Sequence, residues 1–269
     1  MLKQIFRKLL ELAGYELISK KAFRVVPKNY VDPKFEALIR HFHHLVRTYE
    51  LKSIPEIDKT DIIILAALEA VPLGQGLFLI DLIHKCIHLD GDVCEFGVAS
   101  GCTSKLIAHK LLPTSKVLWL FDSFQGLPEP TEKDQLKDDM FHLGDIKLYK
   151  GKLKSPQSEV RGRLEEITFP LHRTHVVPGF IEQTIKGDDL PQTVCFAFVD
   201  FDFYEPIKIA LQFLKGCMVP GGYIAVHDYD FFSTGAKEAC DEFHASNDGD
   251  FVRTLPDGLA KQICLFQRL

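Results

Sequence analysis

Four short apolar runs, each closing on a charged or titratable residue, constrain this chain more than any other feature. Gly91–Phe96 carries Glu95 near its end, Val117–Phe121 runs into Asp122, Val194–Val199 into Asp200, and Gly222–Val226 into His227 and Asp228. A shorter run spans Thr174–Val177, and helical patterns cover about Thr103–Leu112 and Glu205–Leu214. Apolar strands that alternate with helices predict an α/β fold with a mostly parallel central sheet and helices on both faces. Ligands of such sheets bind beyond the carboxyl ends of the strands. The terminal charges are therefore expected on one rim, facing one crevice. Phe251–Leu269 is expected to add two antiparallel strands around Pro256-Asp257-Gly258.

Residues 1–57 show no strand-like alternation and are predicted to form an N-terminal helical extension, with a turn at Pro27 to Pro33. Residues 58–269 are expected to form the main domain. It opens with helices over Asp58–Ala70 and Leu77–His88, joined by a break from Val71-Pro72 through Gly74 and Gly76. Leu2, Ile5, Phe6, Leu9, Leu10 and Ala13 recur at helical spacing, and Met1 to Arg24 carries six basic against two acidic residues. This amphipathic stripe is expected to pack on its own domain or on a second copy in a homo-oligomer. Peripheral membrane contact through residues 1–24 is the less favoured alternative. Lys3, Gln4, Arg7, Lys8 and Glu11 interrupt the apolar run, against a signal peptide.

Composition removes other classes. With 46% hydrophobic and 26% charged residues, disorder is excluded. The net charge of -5, spread without a basic stripe, argues against nucleic acid as a partner. The seven cysteines contain no CxxC pair and are expected to be reduced thiols of a cytoplasmic protein. No apolar run reaches the roughly 18 residues of a membrane span.

The segment Glu95-Phe96-Gly97-Val98-Ala99-Ser100-Gly101-Cys102-Thr103 turns from a strand into a helix. Its Glu-x-Gly-x-x-x-Gly spacing is not the Gly-x-Gly-x-x-Gly that cradles a pyrophosphate. A carboxylate ahead of the glycines suits a cationic or hydroxylated ligand. Asp122, closing the second strand, is placed to bind ribose hydroxyls.

These residues carry a resemblance. Glu95 to Gly101 resembles motif I of class I S-adenosylmethionine-dependent methyltransferases. Phe121-Asp122-Ser123-Phe124-Gln125-Gly126-Leu127-Pro128 resembles a signature of the macrocin O-methyltransferase family, whose members methylate sugar hydroxyls of natural products. Pro178–Ile185 and Val199–Glu205 match two further motifs of that family in the same order, so the resemblance covers about residues 90–245. It implies a Rossmann-like fold and S-adenosyl-L-methionine bound by Glu95, Phe96, Gly97, Gly101, Thr103, Asp122, Ser123 and Phe124. The implied partner is a small-molecule acceptor offering a sugar hydroxyl.

Asp200, His227 and Asp228 at neighbouring strand ends have the donor types to hold a divalent cation, Mg²⁺ first and Mn²⁺ as an alternative. By resemblance, the family's metal carboxylates fall at these positions, although several relatives carry Asp-Asp where this chain has His227-Asp228. Asp200 is the expected base and Asp202 is expected beside it on the same strand face; His227 is the alternative base. Glu129 to Asp139 is a candidate lid, and Phe231–Gly235 a candidate wall of the acceptor pocket. A nicotinamide-dependent oxidoreductase and a non-catalytic S-adenosylmethionine-binding protein are the competing readings.

Overall fold

The structure is a computed structural model that describes residues 15–17, 25–27 and 57–269. The chain separates into two compact units, Met1–Val46 and Arg47–Leu269. In the first, β1 (Tyr15–Leu17) pairs antiparallel with β2 (Val25–Pro27). This corrects the expectation of helix at these positions; the turn expected at Pro27 to Pro33 lies, beyond Pro27, outside the described residues. Tyr15, Val25 and Val26 favour extended backbone, and strands of three residues are too short to display alternation. The Leu2–Ala13 stripe lies outside the described residues.

In the second unit, α1 (Lys59–Ala66) starts at a capping box in which Asp58 and Asp61 each accept the other's backbone N–H. Helix α2 (Leu73–Cys86) begins four residues earlier than predicted. Pro72 occupies the position before its first turn, where the missing N–H costs nothing. The helix runs through Gly74 and Gly76 because Gly76 is where Leu65 and Leu68 pack closely against α2. The rest alternates: β3 (Asp92–Phe96), α3 (Cys102–Leu111), β4 (Leu118–Asp122), α4 (Gln157–Glu166), β5 (Thr174–Pro178), α5 (Ile181–Thr184), β6 (Val194–Val199), α6 (Tyr204–Cys217), β7 (Met218–Val226) and α7 (Gly235–Ser246). Strands β8 (Phe251–Thr254) and β9 (Cys264–Arg268) follow.

The sheet order is β5-β4-β3-β6-β7-β9-β8, with β3 to β7 parallel and the last pair antiparallel, as predicted. Strand β7 starts at Met218 rather than Gly222, because an irregularity between Val194 and Phe196 lets β6 engage it earlier. Successive residues serve opposite faces. Leu118 and Leu120 pack with Leu82, Ile107 and Leu111; Trp119 and Phe121 pack with Ile181 and Leu211 on the other side. All six residues of β6 are buried, which explains its unbroken apolar run. The cysteines are free, and all but the half-buried Cys217 are buried. No helix among the described residues is long and apolar enough to cross a membrane.

Register fixes the site. Phe96 is level with Phe121 on one side and Val199 on the other, and Val199 is level with Val226. Gly97, Asp122, Asp200 and His227 therefore leave four adjacent strands at one height. The direction of winding reverses between β3 and β6, where a crevice opens.

Candidate active site

At that crevice Gly97 adopts a left-handed φ of 88°. A Cβ there would collide with the backbone carbonyl of Asp200, so only glycine permits β3 and β6 to diverge this closely. The loop beyond it is held by Asp122. Its Oδ2 accepts the N–H groups of Val98 at 2.8 Å and Ala99 at 3.0 Å, and its Oδ1 accepts that of Phe124 at 2.6 Å. One carboxylate thus fixes the turns after both strands, and three of its roughly four acceptor positions are used.

A cavity of about 340 Å³ lies over these turns. Gly97, Ala99, Asp122 and Ser123 line it on one side, Asp200, Asp202, His227 and Asp228 on the other. Among the described residues its lining includes five carboxylates (Asp122, Glu182, Asp200, Asp202, Asp228), one imidazole, and no Lys or Arg. Such a field favours cations and disfavours phosphates. Leu127, Pro128, Met140, Phe141 and Phe231 add an apolar wall.

The remaining residues expected around the cofactor lie elsewhere. Phe96 is buried and stacks on Phe121 with ring centroids 4.5 Å apart. Glu95 is fully buried and does not line the cavity; Ser104 Oγ donates to it, and its Oε1 has no partner among the described residues. Burial pushes its carboxyl well above the usual range. Thr103 is buried on α3, and Phe124 packs against the core. Gly101 precedes α3, and a side chain there would meet Val160 of α4 rather than the cavity.

Opposite, His227 Nδ1 lies 2.8 Å from Asp200 Oδ1 and 3.2 Å from Asp228 Oδ1. The ligand atoms of Asp200, His227 and Asp228 all fall within 4.8 Å of one another. Burial opposes a charge on His227, but Asp200, Asp228 and Asp202 outweigh it and raise the imidazole to about 9. Burial lifts Asp228 to about 6 despite the neighbouring imidazole. Asp202 is not beside Asp200 on one strand face. The strand ends at Val199, and Asp202 turns with φ 64° into a buried position. Burial, then repulsion from Asp200 and Asp228, raises its pKa well above the ordinary carboxylate value.

The segment after β4 is tied down across the crevice. Asp134 accepts the N–H of Tyr204 at 2.7 Å, capping α6 from outside, and also accepts from Thr131. Lys137 N–H donates to Phe232 O at 3.0 Å, and Thr234 Oγ1 donates to Lys133 O at 2.6 Å. The candidate lid and the 231–235 turn are therefore one unit. Nothing in the sequence singles out Gln75. It contacts His227 across 152 residues, a distance over which no spacing pattern signals a contact.

Comparisons with known proteins bear on the family and the fold. Residues 80–251 match the family model described as Macrocin-O-methyltransferase (TylF). The chain is 27% identical over 163 residues to the 8-demethyl-8-(2,3-dimethoxy-alpha-L-rhamnosyl)-tetracenomycin-C 4'-O-methyltransferase of Streptomyces olivaceus, covering 57% of this chain and 61% of that protein. It is 26% identical over 188 residues to the demethyldecarbamoylnovobiocin O-methyltransferase of Streptomyces niveus, covering 64% and 68%. Among solved structures, the O-methyltransferase NovP shares the fold with a TM-score of 0.62 at 20% identity, over 98% of both chains. The calicheamicin methyltransferase CalS11 shares it with a TM-score of 0.57 at 19% identity, over 89% of this chain and 94% of that one. The match extends over more than half of the chain, and the protein belongs to the macrocin O-methyltransferase family.

Proposed function

We propose that the protein transfers the methyl group of S-adenosyl-L-methionine to a hydroxyl of a sugar-containing small molecule, assisted by a divalent cation. The observation that carries this reading is the opposition of two structures across one carboxylate-rich cavity: the Gly97 loop with Asp122, and the Asp200–His227–Asp228 cluster. The acceptor class follows the relative from S. olivaceus, which methylates a rhamnosylated compound, and the relative from S. niveus is likewise an O-methyltransferase of a small molecule. The carboxylates around the cavity, with no Lys or Arg among the described residues that line it, argue against the pyrophosphate of a nicotinamide cofactor.

The residues fit both ligands. Gly97 and Ala99 leave room for the cofactor against the β3 turn, and Asp122 has an acceptor position left for a ribose hydroxyl. The surrounding carboxylates favour a sulfonium. In Asp200, His227 and Asp228, two oxygens and one nitrogen converge on the cavity, the donor set of a Mg²⁺ or Mn²⁺ site with positions left open. A bound cation would lower the pKa of a coordinated hydroxyl and orient it.

Asp202 then has the position of the base. Asp200 is the base expected from the sequence, but its Oδ1 is engaged by His227. The Asp202 carboxylate lines the same cavity and makes no hydrogen bond among the described residues, so its oxygens are open to an acceptor hydroxyl. In this reading Asp202 accepts the proton as the hydroxyl oxygen attacks the methyl carbon, and S-adenosylhomocysteine leaves. The apolar wall excludes water and receives the less polar part of the acceptor. Calorimetry with S-adenosylhomocysteine, followed by turnover of methyl-labelled cofactor over a glycoside panel, tests the reading. Binding without transfer to any member would favour a non-catalytic cofactor-binding protein.

A further inference from the structure

His227 is buried, and both ring nitrogens are engaged. Nε2 faces Gln75 Oε1 at 2.7 Å, while Gln75 Nε2 lies 2.7 Å from the backbone carbonyl of Lys261. A carbonyl only accepts, so Gln75 must turn its NH₂ toward Lys261 and its oxygen toward His227. That oxygen also only accepts, so the His227 nitrogen facing it carries a proton. Nδ1 is left facing Asp200 and Asp228.

The chain of contacts is rigid at both ends. Gln75 lies in the first turn of α2 and is 2% exposed. Lys261 precedes Gln262, whose carbonyl accepts the Tyr229 N–H at 2.8 Å, so this turn is fastened beside Asp228. Rotating the Gln75 amide would set NH₂ against N–H and oxygen against oxygen. The alternative His227 tautomer is therefore disfavoured by Gln75 itself.

We propose that Gln75, locked by the Lys261 carbonyl, is a positioning residue. It holds His227 as the Nε2–H tautomer, so that Nδ1 is the atom offered to a divalent cation shared with Asp200 and Asp228. The proposal rests on the cation reading above. It also assigns a role to the helix before the family motifs, because an imidazole ligand needs its tautomer fixed and a carboxylate ligand does not.

Mn²⁺ titration of the full chain, followed by electron paramagnetic resonance, tests this in four forms: wild type, Gln75→Met, His227→Asp and the double variant. Loss of a hydrogen-bond partner to a ligating histidine typically weakens metal affinity about 10–100-fold. Gln75→Met is expected to show a loss of that size when His227 is present and less than about threefold when it is combined with His227→Asp. S-adenosylhomocysteine affinity should stay the same in all four. Equal Mn²⁺ affinity of wild type and Gln75→Met, or an equal loss with and without His227→Asp, would overturn the proposal. Absence of Mn²⁺ binding to the wild type would instead remove the cation reading beneath it. A second measurement needs no variant. Ring ¹⁵N–¹H correlation of ¹⁵N-histidine protein with Mg²⁺ should show His227 protonated at Nε2 and bare at Nδ1, and a proton at Nδ1 contradicts the assignment.

Discussion

Gly97 and Asp200 approach so closely where β3 and β6 diverge that the space for a Cβ on Gly97 is taken by the Asp200 carbonyl oxygen. The backbone N–H of Asp200 donates to Phe96 O at 2.7 Å, closing the same junction. The Gly97 loop and the Asp200–His227–Asp228 cluster are thus coupled through a backbone contact. Gly97→Ala must relieve the overlap by moving one of them, and a non-glycine residue at φ 88° adds strain. We expect a loss of about 2–4 kcal/mol in stability, together with weakened binding of both S-adenosylhomocysteine and Mn²⁺. Thermal unfolding and calorimetry check this; a variant with wild-type stability and both affinities intact would contradict the coupling.

Asp122 joins the turns after β3 and β4 through three accepted N–H groups. Asp122→Asn brings an NH₂ against at least one of them, and Asp122→Ala leaves all three without that partner. Losing a charge-assisted hydrogen bond costs about 1.5–3 kcal/mol. S-adenosylhomocysteine affinity is expected to fall about ten- to a hundredfold in either variant. Unchanged calorimetric affinity in both would remove Asp122 from the cofactor site.

The raised pKa of His227 gives the metal-free protein a pH-dependent stability. An imidazole ordinarily near 6.5 is held at about 9 in the fold. The folded state binds the proton more tightly, so the stabilisation is fully present below about pH 6.5 and is lost as pH rises through about 9. Asp228, raised to about 6, acts at lower pH, while the Cys195 thiol, lowered to about 7, titrates inside this window with the opposite sign. With chelator present, the difference in melting temperature between wild type and His227→Gln should therefore shrink as pH rises from 6.5 to 9. Parallel profiles would show that His227 is not the titrating group.

The segment after β4 is fastened to α6 by Asp134, which is 3% exposed. Asp134→Ala leaves the Tyr204 N–H and Thr131 without their acceptor. The expected loss is about 1–3 kcal/mol for each buried group left unpaired. Because Met140 and Phe141 follow in the same segment and line the cavity, the acceptor KM should rise more than the cofactor KM. An equal rise in both would place this segment over the cofactor instead.

The parallel order, the rim of charges and the terminal antiparallel pair were legible because buried strands write unbroken apolar runs and their carboxyl ends are polar. The site was legible where function depends on position along a strand end, as at Gly97, Asp122, Asp200 and His227. Phe96 and Thr103 belong to the same motif, but strand alternation and helix packing turn them into the core. The direction of Asp202 depends on a left-handed turn that an aspartate gives little sign of in sequence. Gln75 depends on tertiary contact alone. The start of α2 escapes a sequence reading because Gly74 and Gly76 resemble a break until the neighbouring leucines are in place.

In the proposed reaction, methyl transfer to a sugar oxygen takes place at the rim formed by Asp200, Asp202, His227 and Asp228. Its most direct test is single-turnover transfer from methyl-¹³C-labelled S-adenosylmethionine to a glycoside acceptor, with product position read by NMR, for wild type and Asp202→Asn with and without chelator. The expected result is label on a sugar oxygen, loss of transfer on chelation with recovery on adding Mg²⁺ or Mn²⁺, and a rate reduced about 10²–10⁴-fold in Asp202→Asn with S-adenosylhomocysteine affinity unchanged. Transfer that survives exhaustive chelation and proceeds at the wild-type rate in Asp202→Asn would contradict it.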